Sequence, residues 1–354
     1  MAAFLANQDK PAWANAQGHL TVSVVIPAYN AANSLPACLS ALRRQTVAPD
    51  EVIVVDDGSS DGTASIATQW GARVVAQKHS GPAAARNLGV ANCFGSVVLF
   101  TDADCEPAAD WLAQMLAPLS DQAVVGVKGA YRTHQRQVVA RLAQCEFEER
   151  YRLLARSPSI DFVDSYSAAF RTALLRAAGG FDPAFTEANN EDVELSYRLA
   201  RQGHKLVFNP RAIVYHRHKA AWLPYLRLKA KRGYWRMLVY RRYPGKALSD
   251  SYTPQLLKLQ VLLAFASLGA AALAILWPPM FWLPLAIVAL LLLTSLPYTR
   301  LVWRLDRAVT PWAPVFVTAR AFAFAVGVAA GTISILLASL VPSAHRRQRD
   351  SYVV

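Results

Sequence analysis

Two aspartates one residue apart, Asp102 and Asp104 in "FTDADCEPAADW" (100–111), follow the apolar run "GSVVLF". Carboxylates crowded at the end of a buried strand lose hydration and repel one another unless something positive compensates them. A divalent cation is one such partner, and oxygen ligands suit Mg2+ or Mn2+. The other reading is a solvated turn in which an aspartate caps a helix in "EPAADWLAQML", with Pro107 in its first position. Asp56 and Asp57 in "VVDDGSSDGT" (54–63) raise the same question. The glycines and serines there make a tight strand-to-helix turn that Ser60 or Asp61 can cap, which leaves two carboxylates to accept from a nucleoside's imide nitrogen or ribose hydroxyl. "HSGPAAARNLG" (79–89) adds a turn at Gly81, a helix start and the cation Arg86. Together these suit a pyrophosphate or a base edge, although an alanine-rich packing helix accounts for them equally well. In "ANNEDVELSYRLARQG", Glu191 and Asp192 open an amphipathic helix whose Leu195 and Leu199 face inward. Acids there are stabilised by the helix dipole, and one of them could serve as a general base. His216 and His218 in "NPRAIVYHRHK" stand two residues apart, on one face of a strand.

The elements that would position these groups are legible upstream. "TVSVVIP" (21–27), "EVIVVDD" (51–57), "ARVVAQ" (72–77) and "SVVLFTD" (96–102) are short and valine-rich, as strands covered on both faces are. Segments long enough for crossover helices separate them. The pattern is that of an α/β protein with a mostly parallel sheet, in which sites form at the carboxyl ends of strands. Asp56, Asp57, Asp102 and Asp104 all fall at such ends.

"VSVVIPAYN", "VVDDGSSDGT", "GPAAARNLG", "TDAD", "GGFDPAF" and "NNEDVELSYRL", in this order, resemble the family 2 glycosyltransferases over residues 20–218. The resemblance implies a GT-A fold (Rossmann-like, with a mostly parallel sheet) and inverting transfer of a sugar from a nucleoside diphosphate donor, with a divalent metal on the donor diphosphate. It also implies roles. Pro27, Tyr29, Asp56, Asp57, Gly81, Arg86, Asp102 and Ala103 would contact the nucleotide sugar. Asp104 would be the direct metal ligand, and Asp102 would face the ribose or share the metal. His216 would contact the metal or diphosphate, with His218 as the alternative, and Asp192 would be the base with Glu191 beside it. Processive relatives such as cellulose and hyaluronan synthases carry Gln-x-x-Arg-Trp after the base helix, and this sequence has none. Transfer of one sugar is therefore expected rather than polymer synthesis. A GT-A membrane scaffold without catalysis is the competing reading, which the Asp-x-Asp and the acidic pair disfavour. A nucleotidyltransferase is disfavoured because "IPAYNAANSL" lacks a glycine-rich start with a triphosphate-binding lysine.

Composition separates the two halves of the 354-residue chain. It is 54% hydrophobic with a formal net charge of +13, and the apolar excess is concentrated after Leu256. Stretches 261–277, 280–296 and 314–340 suit about three membrane spans. Residues 217–246 hold ten lysines or arginines and no acid, interleaved with Trp222, Tyr225, Tyr234, Trp235 and Tyr240. A nucleic-acid patch is excluded by position, since the cluster directly precedes the first span. Cations including Arg227, Lys229, Lys231 and Arg232 are expected to meet anionic lipid head groups instead. The amino terminus shows no secretory signal, and Cys38, Cys93, Cys105 and Cys145 show neither metal spacing nor a paired framework. The expected organisation is an amino-terminal tail (1–20), a GT-A domain (21–218), a basic interfacial segment (219–255), a transmembrane region (256–341) and a basic tail (342–354). The protein would be integral to the inner or plasma membrane, its catalytic domain in the cytoplasm. The acceptor would be lipid-linked or a cell-envelope glycan. Three spans place the basic tail outside, against the positive-inside tendency, unless the third stretch bends back at Gly327 or Gly331.

Overall fold

The computed structural model describes residues 20–185 and 190–340, so nearly all of the amino-terminal tail and the whole basic carboxyl-terminal tail lie outside the described residues. The chain forms two compact units. One comprises residues up to 132 together with 154–216, the other 133–153 together with the stretch that begins at 217.

In the first unit the strands are β1 (Val22–Ala28), β2 (Glu51–Asp56), β3 (Arg73–Ala76), β4 (Val97–Thr101), β5 (Cys105–Pro107), β6 (Val124–Arg132), β7 (Ser167–Arg171) and β8 (Lys205–His216). They form one sheet in the order β3-β2-β1-β4-β7-β6-β8-β5. Pairings among β1 to β4 and between β6 and β8 are parallel, whereas β7 and β5 pair antiparallel to their neighbours. β1, β2 and β4 are buried almost throughout, as their unbroken valine and isoleucine runs require of strands covered on both faces. Helices α1 (Leu35–Arg43), α2 (Thr63–Gln69) and α3 (Pro82–Asn92) make the crossovers, and α4 (Trp111–Leu116) follows β5. Pro107 does not start a helix. It closes β5, opposite Val214, and α4 begins four residues later, because pairing with β8 outweighs the local preference of proline for a first helical position.

The second unit begins with most of α5 (Val138–Leu154); α6 (Thr172–Ala177) and α7 (Glu191–Arg201) belong to the first. Then come α8 (Trp222–Arg242), α9 (Pro244–Leu248), α10 (Gln255–Leu276), α11 (Trp282–Leu293), α12 (Leu296–Leu305) and α13 (Ala313–Leu340). Segments Gln255–Leu276, Pro278–Leu305 and Arg307–Ala338 are long and apolar enough to cross a membrane. Leu262, Leu268, Leu273, Leu285, Leu290 and Leu336 are exposed on them, as lipid-facing side chains would be. α13 runs unbroken through Gly327 and Gly331. Both glycines lie where α8 passes, and a Cβ at Gly327 would strike the Ala230 carbonyl. α8 is thus packed along α13, with Tyr225 on Phe316 and the Tyr234 hydroxyl 3.1 Å from Ser334 Oγ.

One cation counted for the lipid surface is not there. Lys229 is only 2% exposed, and its Nζ lies 2.7 Å from a carboxylate oxygen of Glu146 on α5, which also pairs with Arg150. A lysine facing a packed helix needs a buried counter-charge, and Glu146 supplies it.

Candidate active site

β4 ends at Thr101, and the chain turns at once into β5, so Asp102, Ala103 and Asp104 occupy the turn. Ala103 is buried. Asp104 is exposed, its side chain 54% accessible, and its Oδ1 lies 3.6 Å from His216 Nδ1. His216 arrives at the end of β8, where it pairs with Cys105. The surrounding turn partly desolvates the Asp104 carboxyl, which acts to raise it, but the His216 imidazole outweighs this and holds the group below the ordinary aspartate value. Asp104, Cys105 and His216 offer ligand atoms within 4.8 Å of one another. Cys105 is fully buried, and burial pushes its thiol well up. The Asp104 carboxylate and the His216 imidazole are the more accessible donors of the three, and an oxygen ligand of this kind suits Mg2+ or Mn2+. His218 is placed differently: in the second unit its Nε2 lies 3.0 Å from Gln144 Oε1 and its ring stacks on Phe147.

Asp102 turns the other way. Its Oδ1 accepts from Arg86 Nη2 at 3.0 Å, while Arg86 Nη1 donates to Glu191 Oε1 at 2.7 Å. Arg86, proposed from sequence for a pyrophosphate or base edge, is 3% exposed and bridges two carboxylates. Burial raises the Asp102 carboxyl, an effect that Arg86 offsets only in part. Glu191 is pushed up to about 7, first by burial and then by the neighbouring Asp192, against the pull of Arg86. Asn190 adopts a left-handed backbone, φ 65°, and turns the chain into α7 so that both acids enter its first turn. Asp192 Oδ2 accepts from the Ser165 amide at 3.2 Å and its Oδ1 from the Val193 amide at 2.8 Å.

The third group lies at the ends of β1 and β2. Pro27 stands beside Val55, and Ala28 beside Asp56, in the register of the two strands. Asp57 is buried and saturated. It accepts from the amides of Ser80 and Gly81 at 2.8 and 2.9 Å and from Gln77 Nε2 at 2.6 Å, which fixes the turn into α3. Gly81 needs its φ of +90° to make that turn, a conformation side chains rarely adopt. Asp56 accepts from the Ser59 amide at 3.0 Å. Tyr29 is half exposed and stacks on His79, centroids 4.1 Å apart, and His79 Nδ1 lies 2.9 Å from Asp57 Oδ2. The sequence alone assigns His79 no role, although it immediately precedes the serine and glycine of the turn. α3 joins the groups, with Gly81 at its start and Arg86 in its second turn.

A family model described as "Glycosyl transferase family 2" matches residues 23–179, and one described as "Glycosyl transferase family group 2" matches 109–326, more than half of the chain. The chain belongs to the family 2 glycosyltransferases. Among family relatives, the pre-mycofactocin glycosyltransferase of Mycobacterium tuberculosis is 32% identical over 238 residues, which cover 64% of this chain and 49% of that protein. The chain thus spans about half the length of that relative. The O-antigen chain rhamnosyltransferase of Salmonella typhimurium is 25% identical over 212 residues, 56% of this chain and 67% of that one. Among solved structures, a mannosyltransferase from Pyrobaculum calidifontis in complex with GDP-Man and Mn2+ shares the fold, with a TM-score of 0.52 at 22% identity, over 94% of this chain and 85% of that chain.

Proposed function

We propose that the protein is a membrane-anchored, metal-dependent inverting glycosyltransferase. It moves one sugar from a nucleoside diphosphate sugar to a lipid-linked or cell-envelope glycan acceptor at the cytoplasmic leaflet. The observation that carries this is the pairing, within one unit, of an exposed Asp104 facing His216 with a carboxylate, Asp192, held by the Ser165 amide. Asp104 and His216 would hold the cation, and Asp102 is committed to Arg86. A bound divalent cation offsets the charge that develops on the departing diphosphate. Inversion in a single displacement needs a base and no covalent nucleophile. Asp192 fills that role by taking the proton of the acceptor hydroxyl at a carboxylate oxygen, while two backbone amides fix its direction. Glu191 is buried and tied to Arg86 through Oε1, which suits it to be the support and Asp192 the base. Around the nucleotide, Tyr29 and His79 present a stacked, half-exposed pair of rings, and Asp56 ends β2 opposite Ala28, the residue before Tyr29.

The relatives' names support the reaction class, and GDP-Man and Mn2+ in the Pyrobaculum structure support a donor and a cation of this kind for this chain. Membrane attachment is supported by the three long apolar segments. The deciding experiment measures donor hydrolysis and transfer by the purified full chain across a panel of nucleotide sugars, with polyprenyl phosphate or membrane lipid extract as acceptor. Asp104→Ala should abolish both while the protein stays folded. Full activity in that variant, or activity indifferent to chelator, would end the metal-dependent reading.

A further inference from the structure

Lys128 of β6 is wholly buried, where an amine is costly unless it is met by partners. Asp164 meets it with a carboxylate and Tyr166 with a hydroxyl oxygen 3.2 Å away. Three residues on, Tyr131 lies flat on Tyr166, with centroids 3.3 Å apart and planes 12° from parallel. Tyr131 stacks in turn on His216, at 4.6 Å and 21°.

In a regular strand, side chains three apart point to opposite faces. The register of β6 against β8 shifts between Lys128 and Ala130, and a local irregularity of this kind re-aims side chains. The residue at the shift is Gly129, where a Cβ would collide with Ser167 and with the Ala212 carbonyl. The shift turns Lys128 and Tyr131 onto the same partner, Tyr166. The segment that carries Tyr166 is also tied to α7: the Val163 amide donates to Ser196 Oγ at 2.9 Å, and the Ser165 amide donates to Asp192. One short segment therefore touches the base candidate directly and reaches the imidazole opposite Asp104 through a single intervening ring.

We propose that Tyr131 is a positioning residue for the metal site: seated on Tyr166, which Lys128 anchors, it sets the plane of the His216 imidazole so that Nδ1 faces Asp104. This rests on the reading that Asp104 and His216 hold the cation. An imidazole at the end of a strand can rotate about two side-chain bonds, and an aromatic face removes that freedom before a cation arrives. The contact is ring to ring, so the Tyr131 hydroxyl is dispensable and the flat face is not. Groups that orient a metal ligand are typically worth tenfold to a hundredfold in metal affinity.

The test is binding of Mn2+ alone to the full chain in detergent, read from the loss of the free-ion electron paramagnetic resonance signal. His216→Ala and Tyr131→Leu should each weaken binding by about tenfold or more, and Tyr131→Phe should bind as the parent does. If Tyr131→Leu does not fold, Tyr166→Leu removes the support beneath Tyr131 and should also weaken binding. Weakened binding in His216→Ala but parental binding in folded Tyr131→Leu or Tyr166→Leu would overturn the inference and leave the metal reading standing. A Tyr131→Phe variant as defective as Tyr131→Leu would overturn it too, because the ring face would then not be what matters. Parental Mn2+ binding in both Asp104→Ala and His216→Ala would sink the metal reading itself, and the inference with it.

Discussion

Arg86 and Glu191 form a buried ion pair, Nη1 to Oε1 2.7 Å, with each side chain 3% exposed, and the other amine of the same guanidinium holds Asp102. A guanidinium can span two carboxylates because its donors are fixed in a fork, which an ammonium cannot imitate. The pair thus ties the turn after β4 to the first turn of α7. Arg86→Met would strand the buried Glu191 carboxylate and the half-buried Asp102, and a loss of about 3–5 kcal/mol in denaturant unfolding is expected. Arg86→Lys should recover only part of it. A variant of parental stability that had lost donor binding would instead return Arg86 to the pyrophosphate.

Asp192 is held by two backbone amides, which fix the direction of its carboxylate as an acceptor base requires. Asp192→Asn preserves the size and most of the hydrogen bonding but removes the basicity. Transfer should fall by about a hundredfold or more, with nucleotide-sugar binding retained in a direct titration. Equal losses of binding and transfer would make Asp192 a structural cap.

Glu191 supplies a pH dependence. Burial and the charge of Asp192 raise it to about 7, so below that value it holds a proton and above it a second negative charge stands beside Asp192. The anion that appears above that value adds negative charge beside the place where the acceptor's proton would be taken. Transfer should therefore rise as pH passes through about 7, and Glu191→Gln should flatten that limb and lower the alkaline rate. The same shift acts against folding. A carboxyl whose folded value is raised destabilises the protein increasingly above its unfolded value, and fully once pH exceeds the folded one. Glu191→Gln should then be at least as stable as the parent at pH 8 despite losing a charged partner of Arg86. An unchanged rate profile in this variant would refute the assignment.

The parallel part of the sheet was legible because burial on both faces imposes unbroken runs of valine and isoleucine, and β1, β2 and β4 carry them. The Asp102–Asp104 turn was legible for a similar reason, since charge placed at the end of such a run demands a partner. Pairings made over long separations were not. Pro107 reads locally as a helix start, but its strand partner Val214 lies far along the chain. Lys229 reads as one more cation in a basic stretch until Glu146, 83 residues upstream, is brought against it. The stack of Tyr166, Tyr131 and His216 depends on a register shift in β6 for which no residue pattern gives notice.

Glu146 is the hub of the second unit. Its carboxylate accepts from Lys229 at 2.8 Å and from the Tyr225 hydroxyl at 2.9 Å, pairs with Arg150, and has Arg320 3.7 Å away. Burial alone would raise its carboxyl, but Lys229, Arg150 and Arg320 outweigh burial and hold it well below the ordinary value. A depressed carboxyl contributes stability that is present above its unfolded value, about 4.3, and is lost as pH falls toward the folded one. Unfolding of the detergent-solubilised chain should become easier over that acid range, and Glu146→Gln should lose the dependence. At neutral pH the substitution should cost about 3–5 kcal/mol, because three cations are left without their anion. An acid profile identical to the parent's would show that Glu146 is not the titrating group.

The burial of Lys229 divides the basic helix into cations that hold the fold and cations that can meet lipid. Arg227, Lys231 and Arg241 are exposed on α8, at spacings that keep them along one side of a helix, while Gly233 and Ala230 face α13. If that side meets an anionic leaflet, each cation contributes about 1 kcal/mol to the local concentration of an anionic lipid acceptor. Replacing all three with glutamine should raise the acceptor KM in nanodiscs containing anionic lipid by about tenfold to a hundredfold. The effect should shrink in neutral lipid or at high salt, where surface potentials are screened. Donor hydrolysis to water should be unchanged, because Asp104, His216 and Asp192 are untouched. Lys229→Gln should do the opposite, lowering thermal stability whatever the lipid. A triple variant with the parent's acceptor KM in anionic nanodiscs would reduce the basic side of α8 to a solvated surface.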